Sequence, residues 1–143
     1  MINTTSLEQA KRILKMEKGK IIKAQNDVFN LSILEYGKFD VLLSIESSER
    51  KDSLRGIDSG MNEILARIAA KNKVAIGLDL EELRNLSKMQ KASRLSKIRQ
   101  NIRLCRKTGT RLAILGIKDK RDAKDLLISL GASTVQVSRA LSL

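Results

Sequence analysis

The sequence has 143 residues, with 28 Lys and Arg against 16 Asp and Glu and a net charge of +12. This length allows one domain with a hydrophobic core, predicted to span residues 1–143, but falls short of the roughly 200 to 250 residues of a complete eight-stranded α/β barrel. No histidine and only one cysteine are present, which excludes histidine catalysis, an intramolecular disulfide and a cysteine-based zinc site. With Phe29, Tyr36 and Phe39 as the only aromatic residues, base stacking is excluded as the main mode of nucleic-acid binding.

The first part of the chain alternates predicted helices and short strands. Its elements are, in order, a helix from Thr5 or Ser6 to Gly19, a strand over 20–24, a helix from Asn26 or Asp27 to Gly37, a strand over 39–45 and a polar loop over 46–57. The apolar positions predicted to face the core in these two helices are Leu7, Ala10, Ile13, Leu14, Met16, Val28, Leu31, Ile33 and Leu34.

Residues 55–76 predict a loop, a helix, a turn and a buried strand. Asp58 or Ser59 can accept a hydrogen bond from the first-turn amides and is the predicted N-cap. The helix presents an apolar face formed by Ile64, Leu65, Ile68 and Ala69. The strand over 73–78 lacks polar alternation, as expected of a parallel strand that is covered on both faces. Together with the preceding strand, it forms a βαβ unit with a right-handed crossover.

The second half continues the same alternation. Its predicted elements are a helical turn over 80–86, a helix over 92–107 ended by Gly109, a strand over 111–116, a helix from Asp119 to Gly131, and a strand fragment with a helical tail over 135–143. Four strands joined by helices predict a parallel α/β sheet.

The excess positive charge is concentrated in one segment. Residues 83–118 contain eleven of the cations and no acidic residue, which indicates a polyanionic partner. On the helix in this segment, Arg99, Arg103 and Arg106 lie on one side of the apolar stripe, and Arg94 and Lys97 lie on the other. Guanidinium groups on a rigid helix suit phosphates. A solvated helix face is the alternative, but such a face usually mixes both signs of charge, so we predict RNA contact.

Two other sets of residues could form a phosphate-binding site or a metal site. The loop with Arg50, Lys51 and Arg55 precedes a helix N-terminus, which favours a phosphate, although a mobile loop with a structural cap explains it equally well. The carboxylates that could bind a metal ion are Asp40, Asp52, Asp58, Asp79, Glu81 and Glu82. Their spacing does not match a metal-binding motif. Cys105 lies on an apolar stripe and is predicted to be a core residue.

Residues 58–76 closely resemble a family signature, because they read Asp-Ser-Gly, then Leu-Ala-Arg-Ile-Ala, then Val-Ala-Ile. This pattern is similar to that of protein component 3 of archaeal and eukaryotic ribonuclease P, and the resemblance extends over roughly residues 20 to 135. It implies a parallel-stranded TIM-type barrel related to the polymerase-and-histidinol-phosphatase barrels, with Asp58, Ser59 and Gly60 as a structural motif. Family members are longer, so the barrel would be partial and its sheet edges open. The family's Arg-Lys before Asp-Ser-Gly is replaced here by Gly56-Ile57.

The resemblance also implies a function. The chain would bind and stabilise ribonuclease P RNA during 5′-leader removal from precursor tRNA, beside the small partner subunit, protein component 2. Catalysis and magnesium would belong to the RNA, with no cofactor on this chain, and the open sheet edges could mediate self-association. The residues expected to contact RNA are Arg50, Lys51, Arg55, Arg94, Lys97, Arg99, Arg103 and Arg106.

Two alternatives stay open at this point. A small phosphoesterase derived from the same barrel would use carboxylates such as Asp79 with a metal ion. A protein-binding scaffold would use the basic helix only for solubility. The sequence shows no apolar run of about 18 residues and no signal-peptide core, so we expect a soluble cytoplasmic protein without membrane contact.

Overall fold

The computed structural model describes residues 1–17, 20–47 and 56–142. Its four strands are β1 (Ile21–Lys23), β2 (Val41–Leu43), β3 (Ala75–Asp79) and β4 (Leu112–Leu115). The helices in the described ranges are α1 (Leu7–Met16), α2 (Asp27–Tyr36), α3 (Glu63–Lys71), α4 (Leu80–Arg84), α5 (Lys88–Thr108), α6 (Lys120–Ser129) and α7 (Thr134–Leu141), with a 3₁₀ turn at Ile45–Ser47. No helix in these ranges is long and apolar enough to cross a bilayer.

All neighbouring strands pair in parallel, in the order β1-β2-β3-β4. Ile2 adds an isolated parallel bridge to Ile22 at the β1 edge. The predicted four-stranded parallel sheet is therefore confirmed, although each strand is shorter than the apolar run that predicted it.

The described helices pack against one face of the sheet. Ile22, Leu42, Ile76 and Ile114 join side chains of the helices in one large core cluster. Alternate residues point to the opposite face, where Val41, Ala75 and Ala113 form a small separate cluster with Ile21 packed against it. Strands in sequential order with crossovers of one hand place their helices on the same side, so this layering follows from the topology.

The small residues of this opposite face fit closely. A Cβ atom built on Gly77 would lie 2.6 Å from Val41 Cγ1 and 3.2 Å from Leu43 Cδ1. Both atoms are buried side-chain methyl carbons of the neighbouring strand β2, so an added methyl group would crowd them.

Replacement of Gly77 by Ala is therefore expected to lower the free energy of unfolding by about 1–3 kcal/mol, the usual cost of overpacking. Urea denaturation measures this effect. In a double-mutant cycle, Val41→Ala should relieve part of the cost of Gly77→Ala. Strictly additive effects would show that the two positions do not clash.

Several predicted helix ends are confirmed by their caps. Asn26 caps α2 through its side chain, and Gly37 ends this helix in the left-handed conformation. Gly109 ends α5 in the same way, and Asp119 caps α6. These ends were predictable because each depends on one residue with a specific local role.

Three predicted helix features were wrong. Neither Asp58 nor Ser59 caps α3, because Asn62 accepts from Leu65 N at 2.8 Å and starts the helix four residues later. Helix α5 begins at Lys88 rather than near 92, because Ser87 and Gln90 form a capping box. The segment over 135–143 contains no strand among the described residues, since Ser133 and Gln136 form another capping box and begin α7.

Some apolar side chains that were predicted to be inward are exposed. These are Met16, Val28, Leu31 and Ile64. Each helix of a one-sided layer contacts the core along a single stripe, so apolar residues beside that stripe stay in solvent. In α3 the stripe is Leu65, Ala66 and Ala69.

Candidate nucleic-acid interface

Helix α5 carries most of the basic segment on a rigid support. Its 21 residues correspond to about 30 Å of helix. Ile98, Asn101, Ile102 and Cys105 are buried along one side and fix the rotation of the helix. The cations therefore have defined directions relative to the sheet.

Arg99, Arg103 and Arg106 are brought together on the exposed side of α5. They line a hollow of about 200 Å³ with Ser129, Leu130 and Gly131, where α6 ends. None of the three guanidinium groups has a hydrogen bond or ion pair within the described ranges. Unpaired, solvated guanidinium groups on one helix face are free to bind an external anion.

Arg94 points in a different direction, toward the carboxyl ends of the strands. Its Nη1 lies 2.9 Å from Glu82 Oε1 and 3.9 Å from Glu46 Oε1, and only 13% of its side chain is exposed. Lys97 is also buried. Arg94 and Lys97 therefore do not lie on the exposed face that carries Arg99, Arg103 and Arg106, although the sequence predicted RNA contact for all five.

Arg94 belongs to a charged network that no sequence pattern indicates. Lys23 Nζ lies 2.9 Å from Glu82 Oε2, and Ser44 Oγ donates to the same oxygen at 3.1 Å. The members come from β1, the end of β2, the 3₁₀ turn, α4 and α5, so no sequence spacing could indicate their contact.

The two carboxyl groups of this network differ in their ionisation. Burial raises the pKa of Glu46 from 4.5 to about 7. Burial also opposes ionisation of Glu82, but hydrogen bonds from Lys23 and Arg94 outweigh it and lower the pKa of that carboxyl. Glu82 is thus the charged acceptor for both cations, and Glu46 is the group that titrates near neutrality.

Lys107 shows how other cations of α5 are neutralised. Its Nζ lies 3.1 Å from Glu63 Oε2 on α3, and Arg67 pairs with the same carboxylate. Hydrogen bonds from Lys107 and Arg67 lower the pKa of Glu63. Acidic residues outside the basic segment thus pair with Arg94 and Lys107. Among the described residues, no acidic side chain pairs with Arg99, Arg103 or Arg106.

The Asp58-Ser59-Gly60 motif forms a tight turn before α3. Asp58 Oδ1 accepts from Gly60 N at 3.1 Å, and the buried Ser59 accepts from Met61 N at 3.4 Å. Gly60 has φ of 80°, in the left-handed region that favours glycine. The motif therefore shapes the backbone that leads to the Asn62 cap. The other predicted contacts in this loop, Arg50, Lys51 and Arg55, lie outside the described residues.

Asp79, one of the carboxylates considered for a metal site, has a structural role. Asp79 caps α4 by accepting from Glu81 N at 3.0 Å and Glu82 N at 3.4 Å. In the described ranges, no three His, Cys, Asp or Glu side chains come together as metal ligands would. Cys105 is fully buried, and this burial raises the pKa of its thiol to about 12. Its prediction as a core residue is confirmed.

Comparison with solved structures shows a likeness in fold. A chain in the "cryo-EM structure of archaeal Ribonuclease P with mature tRNA" is similar with a TM-score of 0.82 and 22% sequence identity. The match covers 99% of this chain and 62% of that one, so this chain spans less than two thirds of its structural neighbour. No protein-family model and no curated protein matches the sequence significantly. The likeness establishes that this chain has the α/β fold of a chain in that assembly.

Proposed function

We propose that this chain is a shortened protein component 3 of ribonuclease P, which binds the ribonuclease P RNA and stabilises it for 5′-leader removal from precursor tRNA. The observation that carries the proposal is the set of three exposed arginines on α5 that have no carboxylate partner in the described ranges. The fold shared with a chain of an archaeal ribonuclease P assembly supports it.

The architecture supports a partial TIM-type barrel. Four parallel strands in sequential order carry the described helices on one face, as they do in α/β barrels. The opposite face carries small residues such as Ala75 and Ala113, which suit the inside of a curved sheet. Protein component 2 or a second copy of this chain would cover the open edges of such a sheet.

In this proposal the chain positions RNA and the RNA performs the chemistry. Arg99, Arg103 and Arg106 contact phosphates, and Asp58, Ser59 and Gly60 shape the turn before α3. Arg94 and Lys97 face the protein interior, so the proposal does not depend on them. Magnesium belongs to the RNA, the chain holds no cofactor, and it works in the cytoplasm without contacting membranes.

Binding of the purified chain to its cognate ribonuclease P RNA tests this proposal. Three phosphate contacts predict that the logarithm of the association constant falls with the logarithm of salt concentration with a slope of about −2. A matched incubation of precursor tRNA with protein and magnesium, without the RNA, should give no cleavage. No RNA affinity would contradict the proposal, and hydrolysis by the protein alone would favour the phosphoesterase.

A further inference from the structure

A second hollow adjoins the arginine face of α5. It lies between the end of α5, the link over 109–111 and α7, and its volume is about 130 Å³. Arg106 borders both this hollow and the one with Arg99 and Arg103. The two hollows therefore form one continuous surface that crosses from α5 to α7.

The second hollow is positively charged throughout. Arg106, Arg111 and Arg139 line it together with the polar residues Thr110 and Ser133, and its lining contains no Asp or Glu. Arg111 Nη2 donates to the Arg139 carbonyl at 3.4 Å, which leaves the other donors of that guanidinium free. The Arg139 side chain is exposed and has no ion pair within the described ranges.

We infer that Arg106, Arg111 and Arg139 hold a backbone phosphate of the same RNA strand that lies along Arg99 and Arg103, an inference that rests on the proposed function. A volume of about 130 Å³ equals that of roughly four water molecules, which is room for a phosphate group. Forked guanidinium groups bind phosphate oxygens in pairs. Because the two hollows share Arg106, a polymeric anion fits the surface better than a free phosphate does.

This surface lies where β4 begins, at the amino ends of the strands. Helix α5 runs from the carboxyl edge of the sheet, where Arg94 meets Glu82, to the amino edge, where Gly109 ends it. Active sites of parallel α/β folds gather at the carboxyl edge. The RNA path is therefore separate from the edge that holds the buried charged network.

Salt-dependent binding to the ribonuclease P RNA tests this inference. The Arg111→Gln/Arg139→Gln variant should bind about tenfold more weakly near physiological salt, and the magnitude of its salt slope should fall by about 0.7–0.9, the value for one lost phosphate. Arg139→Gln alone should give half of that change in slope, and Arg111→Lys/Arg139→Lys should retain most of the slope. The matched control is Arg12→Gln/Lys15→Gln, which removes two exposed charges from α1 beside the opposite end of the sheet.

The outcomes separate this inference from the proposed function. If Arg99→Gln/Arg103→Gln weakens binding but Arg139→Gln behaves like the control, the second phosphate site is wrong and the proposed function stands. If the unmodified chain does not bind the RNA, the proposed function fails and this inference fails with it. Because Arg111 also contacts the end of α7, circular dichroism must show unchanged helix content, and an affinity loss without a change in salt slope would overturn the inference.

Discussion

Replacement of Arg99 and Arg103 by Gln is expected to weaken binding to ribonuclease P RNA by roughly 30-fold near physiological salt. This figure assigns about 1 kcal/mol to each lost contact with phosphate at an exposed site. The magnitude of the salt slope should fall by about 1.4–1.8. Phosphate contacts carry no sequence information, so the loss should be similar for unrelated RNAs of equal length.

The fold should tolerate this change. Both side chains are exposed, and neither has a partner in the part of the chain that the structure describes, so the free energy of unfolding should change by less than about 0.5 kcal/mol. Filter binding over a range of salt concentrations measures the affinity, with Arg12→Gln/Lys15→Gln as the control of equal charge. An affinity within twofold of that control would remove α5 from the interface.

The stability of the protein is expected to fall by about 2 kcal/mol as the pH rises from 5.5 to 7.5. Glu46 causes the change, because its pKa is about 7 in the fold and 4.5 in the unfolded chain. Within this window the folded state binds a proton that the unfolded state does not bind. Stability is therefore greatest at the acidic end of the window and is lost as the pH rises through 7.

The amino-acid composition makes the pH dependence of stability simple to interpret. The chain has no histidine, so no histidine titrates in the window. The groups near Glu46 are Arg94, Lys23 and Glu82. Glu82, with its lowered pKa, contributes stability that is lost only as the pH falls below about 4.5.

Urea denaturation at half-unit steps between pH 5.5 and 7.5 tests this expectation. The Glu46→Gln variant keeps the shape of the side chain but cannot titrate, so its stability should be nearly constant over the window. Glu63→Gln is a matched control on the surface, and it should keep the slope of the unmodified protein. An unmodified protein with constant stability would mean that Glu46 is charged in the fold at every pH in the window.

The sequence predicted the elements whose signals are local. The four strands follow from short apolar runs, and Asn26, Gly37, Gly109 and Asp119 end or begin helices through their own backbone or side-chain roles. Helix α7 was misassigned in part because Val135 and Val137 alternate with polar residues as a strand does. The capping box that Ser133 and Gln136 form begins a helix instead, and this Ser-x-x-Gln pattern was the signal in the sequence that indicates it.

The candidate site was predictable only where it lies on one element. Arg99, Arg103 and Arg106 share a face because seven residues make almost two helical turns. Arg94 was assigned to the surface because the sequence does not show that Glu82 lies beside it. Arg139 is 33 residues beyond Arg106, and only the packing of α7 brings both to one hollow.

Cleavage of precursor tRNA by the cognate ribonuclease P RNA tests whether this chain assists the catalytic RNA. The assay compares the RNA alone, the RNA with this chain and protein component 2, and the same pair carrying Arg99→Gln/Arg103→Gln. We expect the unmodified pair to lower the magnesium requirement or raise the cleavage rate. The variant pair should lose most of this gain, and the proteins alone should cleave nothing. An unmodified pair without effect, or cleavage in the absence of the RNA, would contradict this expectation.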